Sequence, residues 1–280
     1  LVLIACCDLI VGRIVKESAT INGCSAGSKM NFKPLIGITT SSQMLQGSFC
    51  LSRLYVEAVR SAGGVPILIP AGEPDLSAIL ARLDGLIFSG GGDIDPARYN
   101  GVAHPTIYNV DQERDRSEIT LAQLVLASNI PVLGICRGLE VLVVATGGSL
   151  VPHIPDEFGE VVIHRADQLH SVEHGVYINP NSRLALIIGT TEVNVMSWHH
   201  QAASIVPSEW NVIAWAADGV IEALEHKNHD WAIAVQWHPE LSINDPLQQR
   251  IFQAFVNAAR TKTTLLFQSL IEIHTQMPPP

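Results

Sequence analysis

Apolar and polar positions along residues 33–145 fall into two alternating patterns. Short unbroken apolar runs at 35–39, 65–69, 85–88 and 131–135 read as buried strands, and each is followed by a stretch whose apolar residues recur at helical spacing. Helices are expected at 52–62, where Leu54, Val56, Ala58 and Val59 are the apolar positions and Gly63-Gly64 is the stop. Further helices are expected at 75–82, capped by Asp75, and at 111–128 and 139–145. Strand and helix in succession predict a parallel α/β sheet. Beyond Gly148 the period changes to two, over 171–178, 192–197, 211–217 and 220–224, with Asp218-Gly219 as a hairpin turn between the last two. Antiparallel strands should therefore extend the parallel core, ahead of a buried strand at 232–236 and an amphipathic helix at 245–260.

Three places in this pattern carry chemistry. The chain must turn sharply between the strand at 131–135 and the helix at 139–145, which puts Cys136 at the tip of a strand-turn-helix. Gly134 and Gly138 flank it with the spacing of a nucleophile elbow, where missing side chains let a strained turn fit and leave the nucleophile exposed. A thiol at a helix start is also favoured as thiolate by the helix dipole; a buried core cysteine is the plainer reading of the same residue. At the end of the third strand, Ser89-Gly-Gly-Gly-Asp-Ile-Asp-Pro96 offers backbone amides that a ligand could approach, at the strand ends where open α/β sheets bind ligands. No Lys-Ser/Thr pair follows, so this is not a phosphate loop. The last strand ends in Trp237-His238-Pro239-Glu240, and in an extended segment His238 and Glu240 would share a face as a base and its orienting carboxylate. By contrast, the charges that open the 111–128 helix, Asp111, Glu113, Arg114, Asp115, Arg116 and Glu118, read as a solvated face with i,i+4 pairs.

Composition narrows the partners. With 280 residues, 47% of them hydrophobic and 16% charged, the chain suits one large globular domain. A net charge of −10, with no basic cluster longer than a pair, argues against nucleic acid and anionic membrane surfaces. The five cysteines form no spaced framework, which points to a reducing, cytoplasmic compartment. Among the eleven histidines, His170-Ser-Val-Glu-His174 comes closest to a ligand pattern, but spacing supplies no third ligand and no metal is expected. Residues 1–32 read as an extension, 33–260 as the folded domain and 261–280 as a tail. The apolar stretch at 1–15 is interrupted by Asp8 and Arg13 and is too short to span a membrane. Leu3-Ile-Ala-Cys6 resembles a lipoprotein cleavage box, which makes an exported or lipid-anchored protein the alternative.

The ordered set Lys33-Pro-Leu-Ile-Gly-Ile-Thr, Tyr55-Val-x-Ala-Val-x-x-Ala-Gly-Gly64, Ser89-Gly-Gly-Gly-Asp-Ile-Asp-Pro, Arg114-Asp115 with Glu118, Gly134-Ile-Cys-Arg-Gly138, His199-His-Gln201, Asp218-Gly-Val-Ile-Glu222 and Val235-Gln-Trp-His-Pro-Glu240 resembles the class I glutamine amidotransferase-like superfamily. Within it, the chain is similar to the gamma-glutamyl-gamma-aminobutyrate hydrolase branch of the C26 cysteine peptidases. The resemblance implies a flavodoxin-like open sheet, parallel at its core, with helices on both faces. It also implies Cys136 as nucleophile, His238 as general base, Glu240 as its orienting acid, and an oxyanion hole from the amides of Arg137 and of Gly91 or Gly92. His199, Gln201 and Glu140 would line the glutamyl pocket, with Glu140 standing where many relatives carry Gln. The implied reaction needs no metal or organic cofactor. The implied partner is a small γ-glutamyl substrate, and a homodimer stays open. Rival readings are a glutaminase subunit serving a separate synthetase and a silent binding module on the same fold.

Overall fold

A computed structural model describes residues 33–42 and 47–276, and the extension read at 1–32 lies outside them. Its first half repeats strand and helix: β1 (Leu35–Thr39), α1 (Arg53–Ser61), β2 (Val65–Ile69), α2 (Leu76–Leu80), β3 (Gly85–Phe88), α3 (Gln112–Leu126), β4 (Val132–Ile135) and α4 (Arg137–Ala145). The second half contributes β5 (Leu150–Val151), α5 (Ile154–Phe158), β6 (Val172–Ile178), α6 (Arg183–Ile188), β7 (Glu192–Ser197), β8 (Ala202–Ala203), β9 (Trp210–Ala216), β10 (Ile221–His226), β11 (Ala232–Val235) and α7 (Pro246–Gln276). Local chemistry sets several of the boundaries. Ser52, Asp75 and Asp111 each accept a hydrogen bond from a first-turn amide of the helix they precede, satisfying a donor the helix cannot.

One sheet runs in the order β2-β1-β3-β4-β11-β10-β9-β6-β7. β2, β1, β3, β4 and β11 are mutually parallel, whereas β10, β9, β6 and β7 pair antiparallel. Strand periodicity then sorts the core into two layers. Ile87, Leu133 and Ile135 face α1 and α7, and Leu86, Phe88 and Val132 face α3 and α4. Each such side chain contributes about 1.5–3 kcal/mol by burial. The register aligns Phe88 with Gly134 and Ile135 with Val235, so the carboxyl ends of β3, β4 and β11 emerge side by side.

Three features depart from the sequence reading. Residues 261–276 continue α7 rather than forming a tail, because no glycine or proline interrupts the chain before Pro278. The short helices α5 and α6 escape periodicity at five and six residues, although Ser182 and Gly189 bracket α6 as cap and left-handed stop. The charge run of α3 is not a solvated face: Arg114, Asp115 and Glu118 are buried, for reasons that lie at the adjoining strand ends. Among the described residues no helix is long and apolar enough to cross a membrane.

Candidate active site

Cys136 takes φ 52° and ψ −110°, a left-handed conformation that a non-glycine residue adopts only at a cost of about 1–3 kcal/mol. The surrounding backbone enforces it. A Cβ on Gly138 would lie 2.2 Å from the Phe88 carbonyl oxygen, and one on Gly134 would lie 2.9 Å from that of Gly138. The start of α4 is thus pressed onto β3 and β4 at a distance only glycines allow. The Cys136 amide donates to the Val235 carbonyl at 2.8 Å, and Arg137 supplies the first amide of α4, which has no acceptor within the helix.

His238 leaves β11 beside this turn, and its amide donates to the Met196 carbonyl at 2.8 Å. Its Nδ1 lies 2.6 Å from Oε1 of Glu240, and its ring is close enough to the Cys136 thiol for the two to influence each other's charge. The pair does not meet as alternate residues of an extended strand. Pro239 opens a 3-10 turn over Pro239–Ser242, and the turn folds Glu240 back onto the imidazole. Burial opposes a charge on His238, but Glu240 and then Cys136 outweigh it and hold the imidazole well above its usual pKa. At Cys136 burial pushes the thiol up, with His238 pulling the other way, so the helix start alone does not secure a thiolate. Two groups that sequence reasoning gave no role complete the surroundings. The Tyr55 hydroxyl accepts from the Gly90 amide at 2.9 Å and lies against Glu240, and the Trp198 ring sits 6.1 Å from that of His238.

The glycine loop is held from beneath by the charges read as solvated. One guanidinium nitrogen of Arg114 donates to the carbonyls of Ser89 and Gly90 and to the Ser89 hydroxyl, at 3.0–3.1 Å. A Cβ on Gly91 would come within 2.2 Å of that guanidinium, and one on Gly92 within 2.3 Å of the Asn109 carbonyl oxygen. Arg114 pairs with Glu118 at 2.9 Å, and the Arg137 side chain, just past the nucleophile, pairs with both Glu118 and Asp115. A run of alternating charge looks the same in sequence whether it faces water or a buried counter-charge. The signal available was Arg137, an arginine directly beside the elbow.

Of the residues expected to hold a glutamyl group, Glu140 and Gln201 are buried near this centre. The Gln201 side-chain amide lies against the Tyr99 hydroxyl, and neither group has a partner in good hydrogen-bond alignment. His199 does not fit the expectation. Its Nδ1 meets the Gln201 carbonyl at 2.9 Å and its Nε2 faces Glu222, so both nitrogens are turned to the protein. Its neighbour His200 instead ties this loop to the glycine loop through Asp93, at 2.9 and 3.1 Å.

Glu140 accepts from the Gln236 amide at 3.0 Å, and burial, with Asp93 adding to it, pushes its carboxyl up to about 7. Because the folded pKa exceeds the unfolded one, the native state holds the extra proton. Stability therefore falls as pH rises through the window from the ordinary carboxylate range to about 7. Glu140→Gln should remove a penalty on the order of 3 kcal/mol above that window and be close to neutral at about pH 4.5. Urea unfolding on either side of the window checks this. An equal change on both sides would show that Glu140 carries no pH-linked penalty.

Known proteins share this arrangement of chain and fold. The family model described as Peptidase C26 matches residues 34–240. A Mycobacterium tuberculosis protein, named provisionally as a glutamine amidotransferase, is 38% identical over 81% of this chain and 75% of its own length. A gamma-glutamyl-gamma-aminobutyrate hydrolase of Escherichia coli O157:H7 is 34% identical over 81% of this chain and 94% of its own. Among solved structures, a Thermoplasma acidophilum chain provisionally described as part of a GMP synthase superposes with a TM-score of 0.59. It is 18% identical, covers 84% of this chain and 99% of its own, and shares the fold.

Proposed function

We propose that this chain, which belongs to the peptidase C26 family, hydrolyses γ-glutamyl amide bonds through a thioester on Cys136. The observation that carries the reading is the convergence of a strained cysteine, an imidazole and a carboxylate at the ends of adjacent parallel strands, next to a glycine loop. His238 takes the thiol proton, and the Cys136 sulfur attacks the γ-carbonyl carbon. Negative charge develops on the carbonyl oxygen, where the amides of Arg137 and of Gly91 or Gly92 can donate; each such donor is worth about 10²–10³ in rate. As the tetrahedral intermediate collapses, His238 returns the proton to the leaving nitrogen and the amine departs. Water, deprotonated by the same imidazole, then hydrolyses the thioester to release glutamate and restore the thiol. Glu240 orients the ring and stabilises its charge throughout.

For the leaving group we infer a substituted amine such as 4-aminobutyrate rather than ammonia. This is supported by the 34% identical relative named for that hydrolysis, which the match spans almost end to end. A pocket for the amine's carbon chain contributes transition-state binding that ammonia cannot draw on. With glutamine and γ-glutamyl-4-aminobutyrate compared at equal concentration, the second should lead by about tenfold or more in kcat/KM, since two or more buried methylenes are worth that much. Glutamine leading by the same margin would favour an ammonia-supplying glutaminase, a reading that the 38% identical relative's name keeps in view.

A further inference from the structure

His199 and the Asp218-Gly-Val-Ile-Glu222 segment have no part in this chemistry, and they meet in one cluster of buried side chains. The Nδ1 of His164, the Nε2 atoms of His174 and His199, and a carboxylate oxygen of Glu222 all lie within 4.8 Å of one another. We propose that His164, His174, His199 and Glu222 form a closed structural site for one zinc ion.

Spacing is the first argument. The three nitrogens stand 3.2, 3.5 and 3.6 Å from the same Glu222 oxygen, yet none of these contacts has hydrogen-bond alignment. A charge-assisted bond between imidazolium and carboxylate would be shorter, about 2.7–2.9 Å. The edge of a tetrahedron of ligands about 2.1 Å from a zinc ion is about 3.4 Å, close to the 3.2–3.6 Å of the three nitrogen–oxygen edges, while the whole set spans no more than 4.8 Å.

The second argument concerns the other side of each ring. His164 Nε2 lies 3.0 Å from the Asp218 carboxylate, His199 Nδ1 lies 2.9 Å from the Gln201 carbonyl, and His174 Nδ1 lies 3.2 Å from the Gly175 carbonyl. Only an N–H can satisfy those acceptors, so the outer nitrogen of each neutral ring carries the proton and the inner one presents a lone pair. Three lone pairs and an anionic oxygen then face one another in a buried space, an arrangement that repels itself until a cation enters it. Backbone carbonyls and carboxylates behind metal-bound histidines set the tautomer in this same way. Burial adds to the demand: Glu222 is fully buried, His164 and His199 nearly so, and neither Glu222 oxygen has a hydrogen-bond partner.

Ligand chemistry selects the ion. Three imidazoles and one carboxylate suit zinc rather than magnesium or calcium, and four protein ligands leave no position open for a reacting water, so the role is structural. The site would pin a loop before β6, β6 itself, the loop after β7, and β10 to one point. Spacing in the sequence could not reveal it, since the ligands lie on four separate segments. His170, the other half of the pair that comes closest to a ligand pattern in the sequence, is exposed and bound to Asp167.

The test is metal analysis of the full chain, expressed with zinc in the medium and passed over a chelating resin. About one zinc per chain should remain in the wild type and in His170→Ala, and should be lost in His174→Ala and Glu222→Gln. Should those variants fold poorly, the wild type decides alone. Zinc stripped with a strong chelator should lower the melting temperature and its return should restore it, and cobalt(II) in its place should give the intense visible absorption of a tetrahedral site. Less than about one-tenth of an equivalent of metal in the wild type, with no change in melting on chelation or zinc addition, would overturn the proposal in favour of a metal-free cluster with one protonated histidine.

Discussion

Replacing Cys136 by alanine should bring γ-glutamyl amide hydrolysis down by at least about 10⁴-fold in kcat, the scale on which nucleophile deletions act when the other groups stay in place. A loss smaller than tenfold would remove Cys136 from the proposed mechanism. The more informative comparison sets alanine against glycine at this position. Alanine keeps the penalty of φ 52°, whereas glycine adopts that conformation freely, so Cys136→Gly should be as inactive as Cys136→Ala but more stable. Strain relief of about 1–3 kcal/mol, less about 0.5–1 kcal/mol for glycine's extra freedom in the unfolded chain, leaves a net gain near 1 kcal/mol. In a domain of this size that is a rise of about 2–4 °C in Tm. Equal melting of the two variants would mean that the elbow stores no strain.

The largest stability loss is expected away from the thiol. Glu118→Ala removes the carboxylate shared by Arg114 and Arg137 and leaves two buried guanidinium groups short of counter-charge, with only Asp115 still paired to one of them. Breaking a buried ion pair from one side costs about 3–5 kcal/mol, which corresponds to a Tm lower by roughly 10 °C. Glu118→Gln, which keeps the volume and an acceptor oxygen, should lose less. Because Arg114 also carries the Ser89 and Gly90 carbonyls, whatever Glu118→Ala protein folds should show a lower kcat. A Tm within about 2 °C of the wild type would mean that the cluster is solvated after all.

The parallel half of the sheet was legible from apolar runs: β1 and β3 are inner strands buried over most of their length, and the edge strand β2 keeps an apolar sequence although Ile67 and Leu68 are exposed; all three appear at the expected residues. The antiparallel half was legible from period two and from the Asp218-Gly219 turn, where Gly219 takes φ 91°. Cys136, His238 and Glu240 could be picked out because elbow glycines and a strand-end His-Pro-Glu leave local marks. How His238 and Glu240 meet could not, since a proline that opens a 3-10 turn reads the same in sequence as one that ends a strand. Arg114, Tyr55 and His200 were missed as supporting groups for another reason. Each acts across the fold, on Ser89, Gly90 or Asp93, and nothing near it in sequence names its partner.

Adjacent placement of β3, β4 and β11 has a consequence for changing what the protein accepts. The glycine loop, the thiol and the imidazole leave neighbouring ladders, each about 4.8 Å from the next, although Phe88, Ile135 and Val235 are far apart in the chain. Segments inserted between those strands can lengthen or shorten without altering the ladder spacing. Laboratory evolution toward other amines is therefore best directed at 97–107 and 165–169, where variants should shift preference while sparing the bond-breaking groups, and His164 and the ladder ends are the positions to leave unrandomised.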